Sequence, residues 1–227
     1  MIEAKQQNDT SSASTGVRRV AKMSEPAVSI KALLDAQGTD KGRWYGGLYG
    51  VLLSPIRECI RCVVEIGIGT MIPGAPSSMV DWGADNYRPG ASLRAWRDFF
   101  PNADVHGIDV APDTRIDSEP RITTHICDSS SPDQVATVLK AIAPLTPDLI
   151  IDDGLHDPLA QITTFRNFFP ALRSAGLYVV EDVISANLPN VLAEINRISP
   201  ACDVFVKSEV EGESAFAIVV RKAMPGA

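Results

Sequence analysis

One apolar run in the second half of the chain ends in residues of the kinds that carry out chemistry. The segment PDLIIDDGLHDPLAQ, residues 147–161, has three apolar residues followed by Asp152, Asp153, a glycine and then His156. Charges at the end of a buried strand cost free energy unless solvent, a cation or a substrate compensates them. The segment therefore marks a candidate site, and the residues alone leave the three possible compensators open.

Acidic residues follow the other short apolar runs in the same way. In open α/β sheets, ligands bind beyond the carboxyl ends of the strands. A single acidic strand end is ordinarily a solvated terminus or a helix cap, but five such ends at one edge are hard to explain as caps. The residues at those ends are Glu65, Gly67 and Gly69; Asp109; Asp128 and Ser129; Asp152, Asp153 and His156; and Glu181 with Asp182.

The elements that must position these residues alternate along the chain. Apolar runs predict strands at 62–69, 104–110, 121–128, 147–153 and 176–182, and amphipathic segments predict helices at 27–36, 51–60, 92–100, 131–143, 158–174 and 188–198. CDVFVKSEV and SAFAIVVRK predict a closing antiparallel hairpin. This alternation indicates an α/β fold: a doubly wound, Rossmann-like, mostly parallel seven-stranded sheet with helices on both faces.

The glycines after the first predicted strand indicate which ligand this edge binds. VVEIGIG lacks the GxGxxG pattern, and a Gly/Pro-rich segment, residues 70–89, follows it where a dinucleotide site would have a helix N-terminus. A nucleotide-dependent oxidoreductase is therefore the less favoured alternative. A cofactor without phosphates suits the pattern better, and S-adenosylmethionine (SAM), whose sulfonium favours acidic surroundings, is such a cofactor.

Composition limits the class of protein. The 227 residues suit one α/β domain with a short extension, and the net charge of −7 gives no basic footprint for nucleic acid. We find no apolar run long enough to span a membrane and no apolar stretch typical of a signal peptide. Four cysteines are too few for a disulfide scaffold, and core packing is the favoured interpretation of Cys59 and Cys62. We therefore expect a cytoplasmic protein without nucleic-acid or membrane partners.

The chain is expected to hold one domain. Residues 1–26 are polar and aperiodic and predict a disordered leader, and residues 27–227 predict a single domain that begins with helices. The long segment 70–89 is expected to be a lid or an oligomer contact, and we expect a homo-oligomer.

Several segments of the chain together resemble the class I SAM-dependent methyltransferases: EIGIG, the strand that ends in Asp109, PGASLRAWRDFFPNA, DDGLH and GLYVVED. More narrowly, they resemble the metal-dependent sugar O-methyltransferases of macrolide and related glycosylated natural-product biosynthesis, with similar proteins among polysaccharide-modifying enzymes. GTDKG at 38–42, followed by aromatic residues, also matches this group. The resemblance covers roughly residues 38–182 and, more loosely, the rest of the chain. It implies the class I methyltransferase fold and transfer of a methyl group from SAM to a hydroxyl of a sugar or glycosylated small molecule.

The resemblance also implies roles for individual residues. The implied cofactor-binding residues are Glu65, Gly67, Gly69, Ser92, Asp109, Asp128, Ser129 and Asp152, with Asp109 accepting both ribose hydroxyls and Asp128 and Ser129 near the adenine. The implied Mg²⁺ ligands are Asp153, Glu181 and Asp182, and His156 matches the family's proposed general base. Three carboxylates from adjacent strands can supply half of an octahedron, and a nearby histidine can accept a proton from the acceptor hydroxyl.

Some assignments stay open. Asp152 can instead cap its turn or bond backbone amides, and the pair 181–182 can favour the start of the next helix electrostatically. Trp44, Tyr45 and Tyr49 can be core aromatics or can roof the cofactor site, and Trp44 and Tyr45 stand where the subgroup often has a histidine. A methyltransferase-like domain that only binds SAM or assembles an oligomer is a second functional alternative.

Overall fold

A computed structural model of the chain describes residues 28–116, 118–208, 215–224 and 226. The predicted leader, residues 1–26, lies outside this part. The strands are β1 Cys62–Ile66, β2 Asp104–Asp109, β3 Ile122–Ile126, β4 Leu149–Asp152, β5 Leu177–Ile184, β6 Asp203–Ser208 and β7 Ala215–Arg221. The α helices are α1 Ile30–Ala36, α2 Lys41–Trp44, α3 Gly46–Leu53, α4 Ala91–Phe99, α5 Pro132–Ile142, α6 Pro158–Phe168 and α7 Leu188–Ile198. Within the described ranges, no helix has the length and apolar character needed to cross a membrane.

The seven strands form one sheet in the order β3-β2-β1-β4-β5-β7-β6. Strands β1 to β5 pair in parallel, whereas β7 runs antiparallel to both β5 and β6. In the central register, Ile66 of β1 faces Ile108 of β2 and Asp152 of β4. The predicted doubly wound sheet with an antiparallel hairpin is confirmed, and its carboxyl edge collects the ends of β1, β2 and β4.

Both faces of the sheet are covered. Every residue of β1 and β4 is buried, as expected for parallel strands between two helical layers. On one face, helices α1, α3 and α4 contribute a cluster that contains Tyr49 and Trp96. On the other, α5, α6 and α7 pack around Phe165 and Tyr178. The two apolar layers fix the strand ends from both sides.

Local chemistry sets where the helices end. The predicted helix 51–60 is wrong, because α3 already ends at Leu53 and a short 3₁₀ turn through Pro55 follows. The predicted helix 158–174 ends at Phe168, where a 3₁₀ turn containing Pro170 begins. Proline has no N–H and its ring clashes with the preceding turn, so it cannot continue an α helix.

The Gly/Pro-rich segment 70–89 folds back over the carboxyl edge of the sheet. The amide of Ala84 donates to the carbonyl of Gly38 at 3.0 Å, and the hydroxyl of Tyr87 donates to the carbonyl of Ile68 at 3.2 Å. These bonds hold the segment against its own chain, at the edge of the sheet where a lid would lie. The first helix after β1 is α4, which begins at Ala91, so β1 lacks the immediate helix N-terminus of a dinucleotide site.

The four cysteines are free. Cys62 is fully buried in β1, so core packing is confirmed for it. Cys59 is exposed, and core packing is wrong for that residue, because it lies in the turn before β1 and not in the strand.

Candidate active site

Gly67 lets two strand ends approach each other closely. It follows β1 with a φ of +78°, a left-handed conformation that residues with a Cβ rarely adopt. A Cβ built at this position would overlap the backbone carbonyl of Asp153. The amide of Asp153 in turn donates to the carbonyl of Ile66 at 2.8 Å. A glycine at position 67 therefore brings the acidic end of β4 against the end of β1.

Two adjoining cavities open along this edge. The larger has a volume of about 640 Å³ and the smaller about 300 Å³. Both are lined by Gly67 and Gly154 from the strand ends and by Pro76 and Ser77 from segment 70–89. The cavities thus share lining residues between the β1 turn and the folded-back segment.

The smaller cavity contains the residues predicted for the nucleoside end of the cofactor. Asp109, Asp128 and Ser129 all line it. Asp109 is nearly buried, and its carboxylate accepts bonds from the amide of Ile68 at 3.0 Å and from the hydroxyl of Ser77 at 3.1 Å. The backbone bond orients the carboxylate, and the serine hydroxyl bonds it as a ribose hydroxyl would.

The larger cavity is lined by Gly67, Gly69 and Ser92 of the predicted cofactor set. Glu65 does not line either cavity: it is fully buried and accepts a hydrogen bond from the indole N–H of Trp96 at 2.9 Å. The cofactor role that the resemblance implies for Glu65 stays a prediction, and in this structure its side chain faces Trp96 and Lys41.

Asp152 also lies outside the linings of both cavities. Its carboxylate accepts bonds from the amide of Gly154 and from the hydroxyl of Tyr178, each at 3.3 Å. Burial raises the pKa of Asp152 to about 7, although the hydrogen bonds from Gly154 and Tyr178 act to lower it. These bonds stabilise the turn after β4. The cofactor role of Asp152 stays a prediction.

An acidic cluster with one histidine forms part of the larger cavity. Ligand atoms of Asp153, His156 and Asp182 lie within 4.8 Å of one another. Nε2 of His156 is 3.2 Å from Oδ1 of Asp153 and 3.5 Å from Oδ2 of Asp182. Carboxylate oxygens beside an imidazole nitrogen are a donor set that suits a divalent cation. Two of the three predicted metal ligands therefore meet the predicted base.

A bulge in β5 turns the Glu181–Asp182 pair toward this cavity. Val180 pairs with Ile218 and Val183 with Phe216, so two residues of β5 oppose one residue of β7. Asp182 has a φ of +51°, which is strained for a residue with a Cβ. In a regular strand the two side chains would point to opposite faces. With the bulge, both line the larger cavity.

Glu181 and Asp153 share an ammonium group that sequence reasoning missed. Nζ of Lys41 lies 2.5 Å from Oδ2 of Asp153 and also bonds Oε2 of Glu181, whose other oxygen accepts from the hydroxyl of Tyr49. The side chain of Lys41 is only 4% exposed. The predicted ligand Glu181 is thus held by protein groups, and it is not part of the 153–156–182 cluster.

The charges of this cluster shift each other's pKa values. Burial disfavours the ammonium of Lys41, but the charges of Asp153, Glu181 and Glu65 outweigh it and hold its pKa above the ordinary value. Burial likewise opposes ionisation of Asp153, yet Lys41 and His156 keep the pKa of that carboxyl low. Burial lowers the pKa of His156, but the hydrogen bond and charge of Asp153 raise it overall. The carboxylate of Asp153 therefore favours the protonated form of His156, the form that proton transfer from a hydroxyl would leave.

The aromatic residues near GTDKG have distinct positions. Tyr45 donates its hydroxyl hydrogen to Oδ1 of Asp182 at 2.5 Å and accepts from the amide of Asp182 at 3.0 Å. Tyr49 is fully buried against Trp96, with ring centroids 4.9 Å apart. Trp44 lines the larger cavity. Tyr45 and Tyr49 therefore orient the two acidic residues of β5, and Trp44 forms cavity wall.

Comparison with known proteins places these features in context. The chain is 33% identical over 179 residues to 8-demethyl-8-alpha-L-rhamnosyl tetracenomycin-C 2'-O-methyltransferase of Streptomyces olivaceus. This match covers 77% of the chain and 43% of that enzyme. Over 127 residues, 56% of the chain, it is 34% identical to mycinamicin VI 2''-O-methyltransferase of Micromonospora griseorubida, of which 28% is covered. The chain is therefore similar in sequence to parts of two sugar O-methyltransferases. No family model matches it.

Solved structures show which fold this chain shares. MycE methyltransferase of the mycinamycin pathway, in complex with Mg and SAH, has a TM-score of 0.66 at 23% identity, with 89% of this chain and 57% of MycE covered. The sugar N-methyltransferase KedS8 from Streptoalloteichus has a TM-score of 0.56 at 12% identity. The match covers 96% of this chain and 100% of KedS8. The class I methyltransferase fold is confirmed. The chain spans less than half the length of the curated relatives named above.

Proposed function

We propose that this chain is a SAM-dependent O-methyltransferase, assisted by a divalent cation such as Mg²⁺, that methylates a hydroxyl of a sugar or glycosylated small molecule. The observation that carries the proposal is the junction of the two cavities at Gly67, with Asp153, His156 and Asp182 at the wall of the larger one. The sequence relatives are named as sugar O-methyltransferases, and MycE binds Mg, SAH and mycinamycin VI, which supports the same chemistry here.

The cofactor would extend through both cavities. Its ribose hydroxyls would bond the carboxylate of Asp109 and displace the hydroxyl of Ser77, which bonds that carboxylate at 3.1 Å. Its methionine end would lie over Gly67 and Gly69, in the larger cavity. This arrangement directs the sulfonium methyl toward the 153–156–182 cluster, where the acidic groups favour positive charge.

The acceptor sugar would enter the larger cavity beside His156. The acceptor hydroxyl gives its proton to Nε2 of His156, and the oxygen forms a bond to the methyl carbon while the carbon–sulfur bond breaks. The electron pair of that bond stays on sulfur, so the products are the methyl ether and S-adenosylhomocysteine (SAH). Positioning of the two reactants in line accounts for much of the acceleration of such a displacement.

Asp153 and Asp182 would hold the divalent cation, with Glu181 as the third carboxylate of the predicted set. The oxygens of Asp153 and Asp182 face the same cavity as His156, which fits the donor preference of Mg²⁺ and Mn²⁺. A bound cation would lower the pKa of an acceptor hydroxyl that touches it. Tyr45 orients Asp182 for this task through its two hydrogen bonds.

Calorimetric titration with SAH tests the cofactor site. We expect binding in the micromolar to millimolar range, and Asp109→Asn should weaken it at least tenfold because an amide accepts fewer donors than a carboxylate. The matched control is Asp133→Asn, at an exposed position in the first turn of α5, which should leave SAH affinity unchanged. Absence of SAH binding to the unaltered chain refutes the proposal.

Methyl transfer tests the reaction itself. Incubation of SAM and Mg²⁺ with rhamnosylated or other glycosylated acceptors should yield SAH and a product heavier by one methyl group. His156→Gln should lower turnover at least tenfold while SAH affinity stays within twofold, because the imidazole acts on the acceptor and not on the cofactor. Equal turnover of this variant and the parent removes His156 as base.

The ion pairs of Lys41 with Asp153 and Glu181 favour one alternative, a methyltransferase-like domain that binds SAM without catalysis. In that case these carboxylates serve stability, and Asp153→Asn would destabilise the fold without changing any reaction. SAH binding without methyl transfer to any glycosylated acceptor, with or without Mg²⁺, is the result expected of this alternative.

A further inference from the structure

Lys41 is a buried cation at the wall of the larger cavity. It begins α2, directly after Thr39 and Asp40 of the GTDKG motif. Its ammonium contacts carboxylates that are 112 and 140 residues away along the chain, those of Asp153 and Glu181. A fully buried carboxylate, Glu181, beside the partly buried Asp153 would be costly without a cation, so this ammonium compensates charge that the fold brings together.

Asp153 belongs to two groups of side chains at once. Its Oδ2 atom contacts Lys41 at 2.5 Å, and its Oδ1 atom faces Nε2 of His156 at 3.2 Å, in the cluster that suits a divalent cation. A divalent ion on Asp153 would lie within a few ångströms of the ammonium. At that separation two positive charges repel strongly in a buried site. The ammonium and a divalent ion therefore compete for Asp153.

A second partner for the ammonium lies nearby. Oε1 of Glu65 is 3.4 Å from Nζ of Lys41, which is an ion pair but longer than the other two. Among the described residues, Oε1 of Glu65 has no hydrogen-bond partner, whereas Oε2 accepts a hydrogen bond from Trp96. A small rotation of the lysine side chain would therefore give the ammonium a full hydrogen bond to Glu65.

We propose that Lys41 sets the metal affinity of this site, because its ammonium competes with a divalent cation for Asp153 and Glu181 and moves onto Glu65 when the cation binds. This inference rests on the proposed metal-assisted function. Displacement of the ammonium frees Glu181 to join Asp153 and Asp182. Lys41 is then a positioning residue, since it acts on metal and acceptor through the carboxylates that it holds or releases.

Titration with Mn²⁺, followed by electron paramagnetic resonance without SAM or acceptor, measures the competition. Lys41→Met should bind Mn²⁺ at least tenfold more tightly than the parent, because the competing charge is gone. The matched control is Lys31→Met, an exposed lysine on α1 whose partner is Asp35, and its Mn²⁺ affinity should stay within twofold. A Lys41→Met variant that binds Mn²⁺ no more tightly than the parent overturns the proposal.

A crystal structure of the unaltered chain with Mn²⁺ tests the movement and does not depend on the folding of a variant. We expect the anomalous peak of Mn²⁺ on Asp153 and Asp182, with Nζ of Lys41 beyond about 4 Å from Glu181 and bonded to Glu65. Mn²⁺ on Asp153 with Lys41 still on Glu181 overturns this inference alone. Failure of both the parent and Lys41→Met to bind Mn²⁺ overturns the metal-assisted part of the proposed function as well.

Discussion

Replacement of Gly67 by alanine should damage the protein far more than the same change at Gly47. Gly67 has a φ of +78°, and an added Cβ would overlap the backbone carbonyl of Asp153. Gly47 is exposed in α3, and an added Cβ would meet no atom within 4 Å. The pair therefore compares one chemical change in two backbone settings.

The expected energies follow from those settings. A residue with a Cβ in the left-handed region costs about 1–2 kcal/mol, and forcing a group into packed surroundings costs about 1–3 kcal/mol more. Gly67→Ala should therefore lower the free energy of unfolding by about 2–5 kcal/mol. Gly47→Ala should raise it by about 0.5–1 kcal/mol, because alanine loses less conformational entropy in a helix.

Urea denaturation of both variants gives the two free energies, and SAH calorimetry gives the effect on the cofactor site. Because Gly67 lines both cavities, we expect SAH affinity to fall at least tenfold in Gly67→Ala and to be unchanged in Gly47→Ala. Free energies of unfolding within about 1 kcal/mol of each other would refute the close approach of β1 and β4 on which the site depends.

Three other predictions concern two buried groups, His106 and Trp96, and the partly buried Asp153. Burial, with the neighbouring His125, lowers the pKa of His106 to about 4, below its ordinary value, so stability should fall as the pH drops from about 6.5 toward 4, by about 2 kcal/mol at pH 5. Urea denaturation at pH 6.5 and pH 5 should show a smaller fall in the free energy of unfolding for His106→Gln than for the parent. An equal fall contradicts the role of His106 in the pH dependence. Trp96→Phe removes the N–H that bonds Glu65, and a loss of about 1–3 kcal/mol is expected in thermal or urea unfolding; no loss contradicts it. Asp153→Ala should abolish stimulation of methyl transfer by Mg²⁺ and spare SAH binding, and loss of SAH binding in calorimetry would remove Asp153 from the metal site.

The fold was accessible from the sequence because its signals are local. Apolar runs mark strands that are buried on both faces. The amphipathic segments between them predict helices at 131–143 and 188–198, which match α5 and α7 closely. Proline marks the end of α6 for the same local reason, its missing N–H. Where glycines and aromatics replace the amphipathic pattern, in α2 and at residues 46–50 of α3, periodicity gave no helix and packing decided.

The candidate site was accessible only in part. The sheet rule brings Asp109, Asp153 and His156 to one edge, as predicted, because parallel strands end on the same side. The rule does not say which strand-end side chains reach a cavity. Glu65 and Asp152 face opposite sides of the sheet, where they bond Trp96 and Tyr178, and neither lines a cavity.

The sequence by itself determined the type of sheet, the strand ends that carry carboxylates and the glycine that lets them meet. Tertiary structure decided how those carboxylates are compensated. The bulge in β5 turns Glu181 and Asp182 to one cavity, and Lys41 reaches Glu181 from 140 residues away. Neither feature follows from local pattern, because a bulge depends on pairing with β7 and an ion pair depends on where α2 docks. The charge of Asp153, directly after LIID, is thus compensated by a lysine of the chain itself, beside a cluster suited to a divalent cation.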